Sequence, residues 1–229
     1  MKVRLGSVVA QASGSVAGCV YSHNRYGPYI RNRSVPVNTN TTYQQTARAR
    51  FASLAAGWTA LTIDQQNVWN AFALVVPRTD AFGQAQYVTG QNWYITINAY
   101  RLITGQAATN APSAVQAMGL LTPPTFTIVA STGLMTVTFT NTDLWASAAS
   151  GRLIAFSSPG RPPNRMFFKG PFRFRGTISG AATPPTSPQT IAIGTSYAVV
   201  ATQRVFCRFV ALNPDFRIST DVIATAVAT

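Results

Sequence analysis

Met135-Thr136-Val137-Thr138-Phe139-Thr140 sets an apolar side chain at every second position, with a threonine after each. A period of two belongs to a strand with one dry and one wet face, and threonine suits the wet side of a sheet. Working outward, strand-like runs recur at Thr125–Ala130, Arg152–Ser157, Phe172–Ile178, Thr190–Val200, Val205–Leu212 and Asp221–Ala228. Gly, Pro and Ser turns separate them. About seven short strands in roughly a hundred residues predict an immunoglobulin-like or fibronectin-like β-sandwich over residues 121–229. Leu121-Thr122-Pro123-Pro124 marks its start.

Upstream the period lengthens to that of a helix. Ala47, Phe51, Leu54, Ala55 and Trp58 recur at spacings of three and four after the capping residues Asn40-Thr41-Thr42, predicting a helix over Tyr43–Gly57. Thr62 with Gln65 three residues on makes a capping box, with Leu61 at the staple position. That second helix carries Val68, Trp69, Phe72 and Ala73 and stops at Pro77. A third fits Gly90–Thr104, with Trp93, Ile97, Tyr100 and Ile103 on one face and Gly105 past its end. These helices predict a small bundle over 41–120 that also covers the glycine-rich segment before it. Residues 1–40 read as an extended basic arm, with a weak strand pattern from Leu5 to Val20. The Gly27-Pro28 turn signal predicts a hairpin there, and Pro36 ends the ladder. The class is α+β.

Composition narrows the chemistry. The chain has 229 residues, with 18 Lys and Arg against 5 Asp, for a formal charge of +13. Sixteen of the cations are Arg, Glu is absent, and His23 is the only histidine. Paired-glutamate glycoside hydrolysis, a His-rich zinc site and a Ser-His-Asp hydrolase each need residues that are missing or present once. Cys19 and His23 lie four apart, a separation that in a strand shares a face without contact, and no third group orients the imidazole. Gly6–Gly18 lacks the lysine and following helix of a phosphate-cradling loop. No catalytic, metal or cofactor site is assigned, and no enzyme is expected. The two cysteines read as free thiols rather than a pair. Met1–Arg4 with Leu5–Ala10 is too short for a signal peptide, and no apolar run reaches membrane length, so no membrane partner is expected.

The charge lies at the two ends. Residues 1–50 hold seven cations and no acid, residues 51–150 are near neutral, and residues 151–229 hold nine cations against Asp215 and Asp221. Arg25, Arg31 and Arg33 interleave with Tyr21, Tyr26 and Tyr29, and Arg48 and Arg50 follow. Arg161, Arg165, Lys169, Arg173 and Arg175 crowd among Phe167, Phe168, Phe172 and Phe174, with Phe172 and Phe174 expected on the strand face opposite Arg173 and Arg175. Two readings stay open. Either arginine binds phosphates while aromatics stack on bases, or Phe fills the core while Arg joins subunits. Charged residues are only 10% of the chain, which suits surfaces covered by neighbours.

One set of motifs carries a resemblance. Val20-Tyr21-Ser22-His23-Asn24-Arg25-Tyr26-Gly27-Pro28-Tyr29-Ile30-Arg31, Pro36-Val37-Asn38, Thr42, Gln45 and Arg48 come first, followed by Trp58-x-x-Leu61-Thr62-x-x-Gln65-x-x-x-Trp69-x-x-Phe72-Ala73. Together they resemble uncharacterised proteins of phage, prophage and environmental bacterial sequences, over roughly residues 14–105. The resemblance implies a virion component with no assigned active site. The expectation is a structural subunit of a phage particle, in its capsid, tail or tube, meeting other copies of itself and other virion proteins. Tyr26, Tyr29 and the Arg clusters would lie at subunit contacts or near packaged, non-specifically held nucleic acid. The alternatives are a free basic nucleic-acid-binding protein and an extracellular filament or adhesin subunit.

Overall fold

Two residues with left-handed backbone make the first described turn. Ala17 (φ 44°) and Gly18 (φ 80°) fold β1 (Gly14–Val16) against β2 (Cys19–Asn24). The computed structural model describes residues 12–34, 37–79, 84–114, 121–192 and 199–229. The strand pattern expected before residue 12, the start Met1–Arg4, the break at Pro36 and the middle of the Thr190–Val200 run lie outside those residues. The chain divides into two compact units, residues 1–46 and 47–229. The helical and β-rich segments expected as separate domains fall in the same unit.

In the first unit, Arg25-Tyr26 forms the second turn and Gly27 (φ 106°) leads into β3 (Gly27–Asn32). The expected hairpin is thus part of a three-stranded antiparallel sheet, β1-β2-β3. Its turn lies just before the Gly27-Pro28 pair, and Pro28 sits inside β3. Pro is tolerated there because an edge strand leaves one side of its backbone unpaired. The register pairs Tyr21 with Ile30, Cys19 with Asn32 and Val16, and His23 with Pro28. Val16, Cys19, Tyr21, His23, Pro28, Ile30 and Asn32 therefore share one face, while Val20, Ser22, Tyr29 and Arg31 share the other.

The helices follow their caps. α1 (Thr42–Ala60) begins at the expected capping residues. α2 (Ile63–Val75) starts with the full capping box between Thr62 and Gln65, and Asp64 in its first turn suits the helix dipole. After it, β4 (Arg78–Thr79) and β5 (Ala85–Gln86) pair as a short ribbon. α3 (Gly90–Ile103) is capped by Thr89. α2 and α3 pack together around Trp69, Phe72, Ala73, Val76, Trp93, Tyr94 and Ile97, with the rings of Trp69, Phe72, Trp93 and Tyr94 meeting edge to face. α1 joins this pair at its C-terminal end, where Trp58 lies 5.6 Å from Tyr94. Of the apolar stripe on α1, Leu54 is buried, whereas Tyr43 and Phe51 are 58% and 59% exposed. The expected bundle is therefore a helix pair plus one helix end.

The β-rich part follows its period closely. β6 (Thr125–Val129), β7 (Leu134–Thr138), β8 (Arg152–Ser157), β9 (Arg173–Ser179), β10 (Gln189–Ala192), β11 (Arg204–Leu212) and β12 (Val222–Val227) form two antiparallel sheets, β10-β7-β6 and β12-β11-β8-β9. Phe126, Ile128, Met135, Val137, Leu153, Ala155, Ile178, Ile191 and alternate residues of β11 share one core with Trp145. Beyond β12, Thr229 bonds Ile128 and Ala130, tying the two sheets along one edge. The outer face of the four-stranded sheet is apolar too: Ile154, Phe156, Val210 and Leu212 are covered by Tyr100 of α3, Phe172, Phe216 and Ile218. Burial on both faces explains why β11 reads as a nearly unbroken apolar run.

Candidate interaction surfaces

On the arm, the expected contact residues lie on and around one sheet. Arg25 and Tyr26 occupy the exposed turn, where the backbone N–H of Tyr26 donates to Asn24 Oδ1 at 2.9 Å. Tyr29 is half-buried beside Ser22, and Arg31 is exposed on the same face. Arg33 follows β3, its backbone N–H donating to Gly18 O at 2.7 Å. Arg48 is exposed and Arg50 half-buried, both on α1.

The second cluster splits in two. A β-bulge opposite Ala155 and Phe156 takes Arg175 out of the strand register, and its Nε donates to the buried Ser157 Oγ at 2.6 Å. Arg175 thus braces the sheet. Phe174 pairs with Phe156 and Arg173 with Ser157, so the phenylalanine and the arginine lie on opposite faces of the strand. Arg161, Arg165 and Lys169 lie on the loop between β8 and β9, Arg165 and Lys169 exposed and Arg161 half-buried.

Sequence reasoning passed over two participants. Arg204, at the start of β11, exchanges backbone hydrogen bonds with Arg161 at 2.8 and 2.9 Å, and its Nη1 lies 3.3 Å from Met166 Sδ. Nothing local relates residues this far apart; the sheet topology brings them together.

Several other arginines serve the fold. Arg152 Nη1 bonds the carbonyls of Ala149 and Gly151, and Arg101 lies over the Phe216 ring at 4.4 Å. Burial lowers the pKa of both, and for Arg101 the nearby Arg152 charge adds to it. Asp215, fully buried, holds Arg217 through Nε at 2.5 Å. A cavity of about 550 Å³ opens beside this pair, lined by Arg78, Trp93, Thr96, Tyr100 and Asp221 among others. Its polar groups are largely engaged with neighbours: Arg78 lies over Trp93 at 4.8 Å and donates to Thr96, and Asp221 pairs with Arg208. Tyr100 is raised above its ordinary pKa by burial, with the Arg208 charge opposing.

Cys19 and Cys207 are both free thiols. Cys207 packs in the shared core with its Sγ 3.7 Å from Met135 Sδ, and burial pushes its pKa well up. Among the described residues, no helix is long and apolar enough to cross a membrane. Comparison with family models, curated proteins and solved structures returns no match.

Proposed function

We propose that this chain is a non-catalytic structural subunit of a phage particle or comparable assembly, and that copies join through the N-terminal arm. One observation carries the reading: among the described residues before Leu54, none is buried, although they form a three-stranded sheet and half a helix. A sheet of three short strands without a core is marginal on its own. Its more apolar face, with Val16, Cys19, Tyr21, Pro28 and Ile30 beside His23 and Asn32, is stabilised by a covering surface, and a second copy offers the same face. The outer edges of β1 and β3 also suit strand addition between copies. On α1, Tyr43 and Phe51 are exposed as well. Arg25, Arg31, Arg33, Arg48 and Arg50 then lie at subunit contacts or near packaged nucleic acid, and other virion proteins are the remaining partners.

The strand order supports the fibronectin-like version of the expected sandwich. The order β10-β7-β6 facing β12-β11-β8-β9 corresponds to the immunoglobulin arrangement with its fourth strand moved to the other sheet. Such a domain suits a rigid building block, and the motif resemblance to phage-associated proteins favours a virion setting.

Sedimentation of the full chain tests the reading. Ile30→Asp places a charge on the apolar face of the arm, and Ser22→Asp places one on the opposite face. Association is expected to fall with the first and persist with the second. Equal behaviour of both variants and the parent chain overturns the reading.

A further inference from the structure

From Leu144 to Pro214 the sequence carries eight cations and no acid. Three of them, Arg161, Arg165 and Lys169, ride on the loop between β8 and β9, and the backbone bridge to Arg204 adds a fourth. The loop is anchored from below. Phe168 is 3% exposed, stacks on Phe206 at 5.9 Å, meets Phe172 edge-on at 5.1 Å, and carries the Arg161 guanidinium over its ring at 4.9 Å. Next to this anchor Met166 and Phe167 stand 78% and 67% exposed. Arg165 Nε donates to the Phe167 carbonyl at 2.9 Å, which fixes the backbone that presents the ring.

Among the described residues no carboxylate pairs with Arg161, Arg165, Lys169 or Arg204, and the Nε atoms of Arg161 and Arg204 are buried without a hydrogen-bond partner. A second copy of the chain is a poor source of anions. Of its described acids, Asp143 and Asp215 are buried and Asp221 pairs with Arg208, which leaves Asp64. A polyanion is the partner that complements this charge.

We propose that this surface binds an unpaired polynucleotide strand, with phosphates on Arg161, Arg165, Lys169 and Arg204 and a base stacked on Phe167. Guanidinium forks match phosphate oxygens, and any base offers a face to an aromatic ring. A duplex hides those faces. An anionic membrane is disfavoured because two apolar side chains bury too little in a bilayer to hold the chain there. All these residues belong to the unit of residues 47–229, so the proposal does not rest on the reading of the arm.

The test is fluorescence anisotropy of the full chain with a labelled oligothymidylate across a salt series. Phe167→Ala is expected to weaken binding by roughly 5- to 100-fold while leaving the salt slope unchanged, and Phe167→Trp to restore it. Arg165→Gln and Lys169→Gln are each expected to flatten the log–log salt slope by about 0.7. All four substitutions fall on exposed side chains, so thermal midpoints should hold. Equal binding by the parent chain and Phe167→Ala overturns the proposal. So does equally tight binding of a duplex, or Phe167-dependent binding to phosphatidylserine vesicles without binding to the oligonucleotide. Sedimentation of the same variants separates this proposal from the arm, because assembly should be unchanged when strand binding is lost.

Discussion

Replacing Phe51 with serine measures what α1 contributes to self-association. Phe51 lies on the apolar stripe of α1 and is 59% exposed in the single chain. A phenylalanine buries about 200 Å², so the exposed part amounts to about 120 Å² of apolar surface left for a neighbour to cover. At about 25 cal/mol per Å², covering it is worth about 3 kcal/mol per copy, roughly a 100-fold change in affinity for each ring removed. In a twofold contact both rings go, and the association constant falls by about four orders of magnitude. The single chain itself should be spared. Serine and phenylalanine have similar helix propensities, and Phe51 belongs to no buried cluster. Sedimentation velocity over a concentration series reads the association, and a thermal melt of the dilute chain reads the fold. An unchanged association constant with an unchanged melt would refute the reasoning, because α1 would then contribute nothing to the contact.

Asp215→Asn leaves the buried Arg217 guanidinium without its counter-charge, at an expected cost of about 3–5 kcal/mol, read as a lower denaturant midpoint. Thr62→Ala removes the hydroxyl that accepts from the Gln65 backbone N–H in the α2 capping box, leaving the Gln65 side chain on the backbone N–H of residue 62, and should cost about 1 kcal/mol, a melting shift of about 2–4 °C. Cys207 is protonated in both folded and unfolded chains below its ordinary pKa of 9.0. Above that value the unfolded chain ionises while the buried thiol does not, so stability should fall as pH rises, by up to about 1.4 kcal/mol per unit. Denaturant unfolding of Cys207→Ala should show a shallower alkaline decline than the parent chain.

Elements whose causes are local were legible in the sequence. Thr62 and Gln65 sit three residues apart, and the helix begins where their reciprocal bonds require. Met135 and Val137 reach the core because a strand alternates its faces, and Arg152–Ser157 forms a strand over the expected span. The arm shows the limit of turn signals. Gly27-Pro28 reads as a turn, yet an edge strand accommodates the proline and Arg25-Tyr26 turns instead. Periodicity marked the apolar face of α1 without saying what covers it, since a period carries no information about partners. The pairing of Arg161 with Arg204, the bulge that turns Arg175 toward Ser157, and the tie between Thr229 and β6 depend on topology. The Asp215–Arg217 pair is close in sequence, but its burial follows from Phe216 packing beneath α3 and the sheet.

Electron microscopy of the purified full chain at high concentration is the most direct test of a structural subunit joined through its arm. Ordered oligomers or tubes are expected, with the β1-β2-β3 sheet seated against a neighbouring copy. A strict monomer at every concentration, with the apolar face of the arm open to solvent, would contradict it.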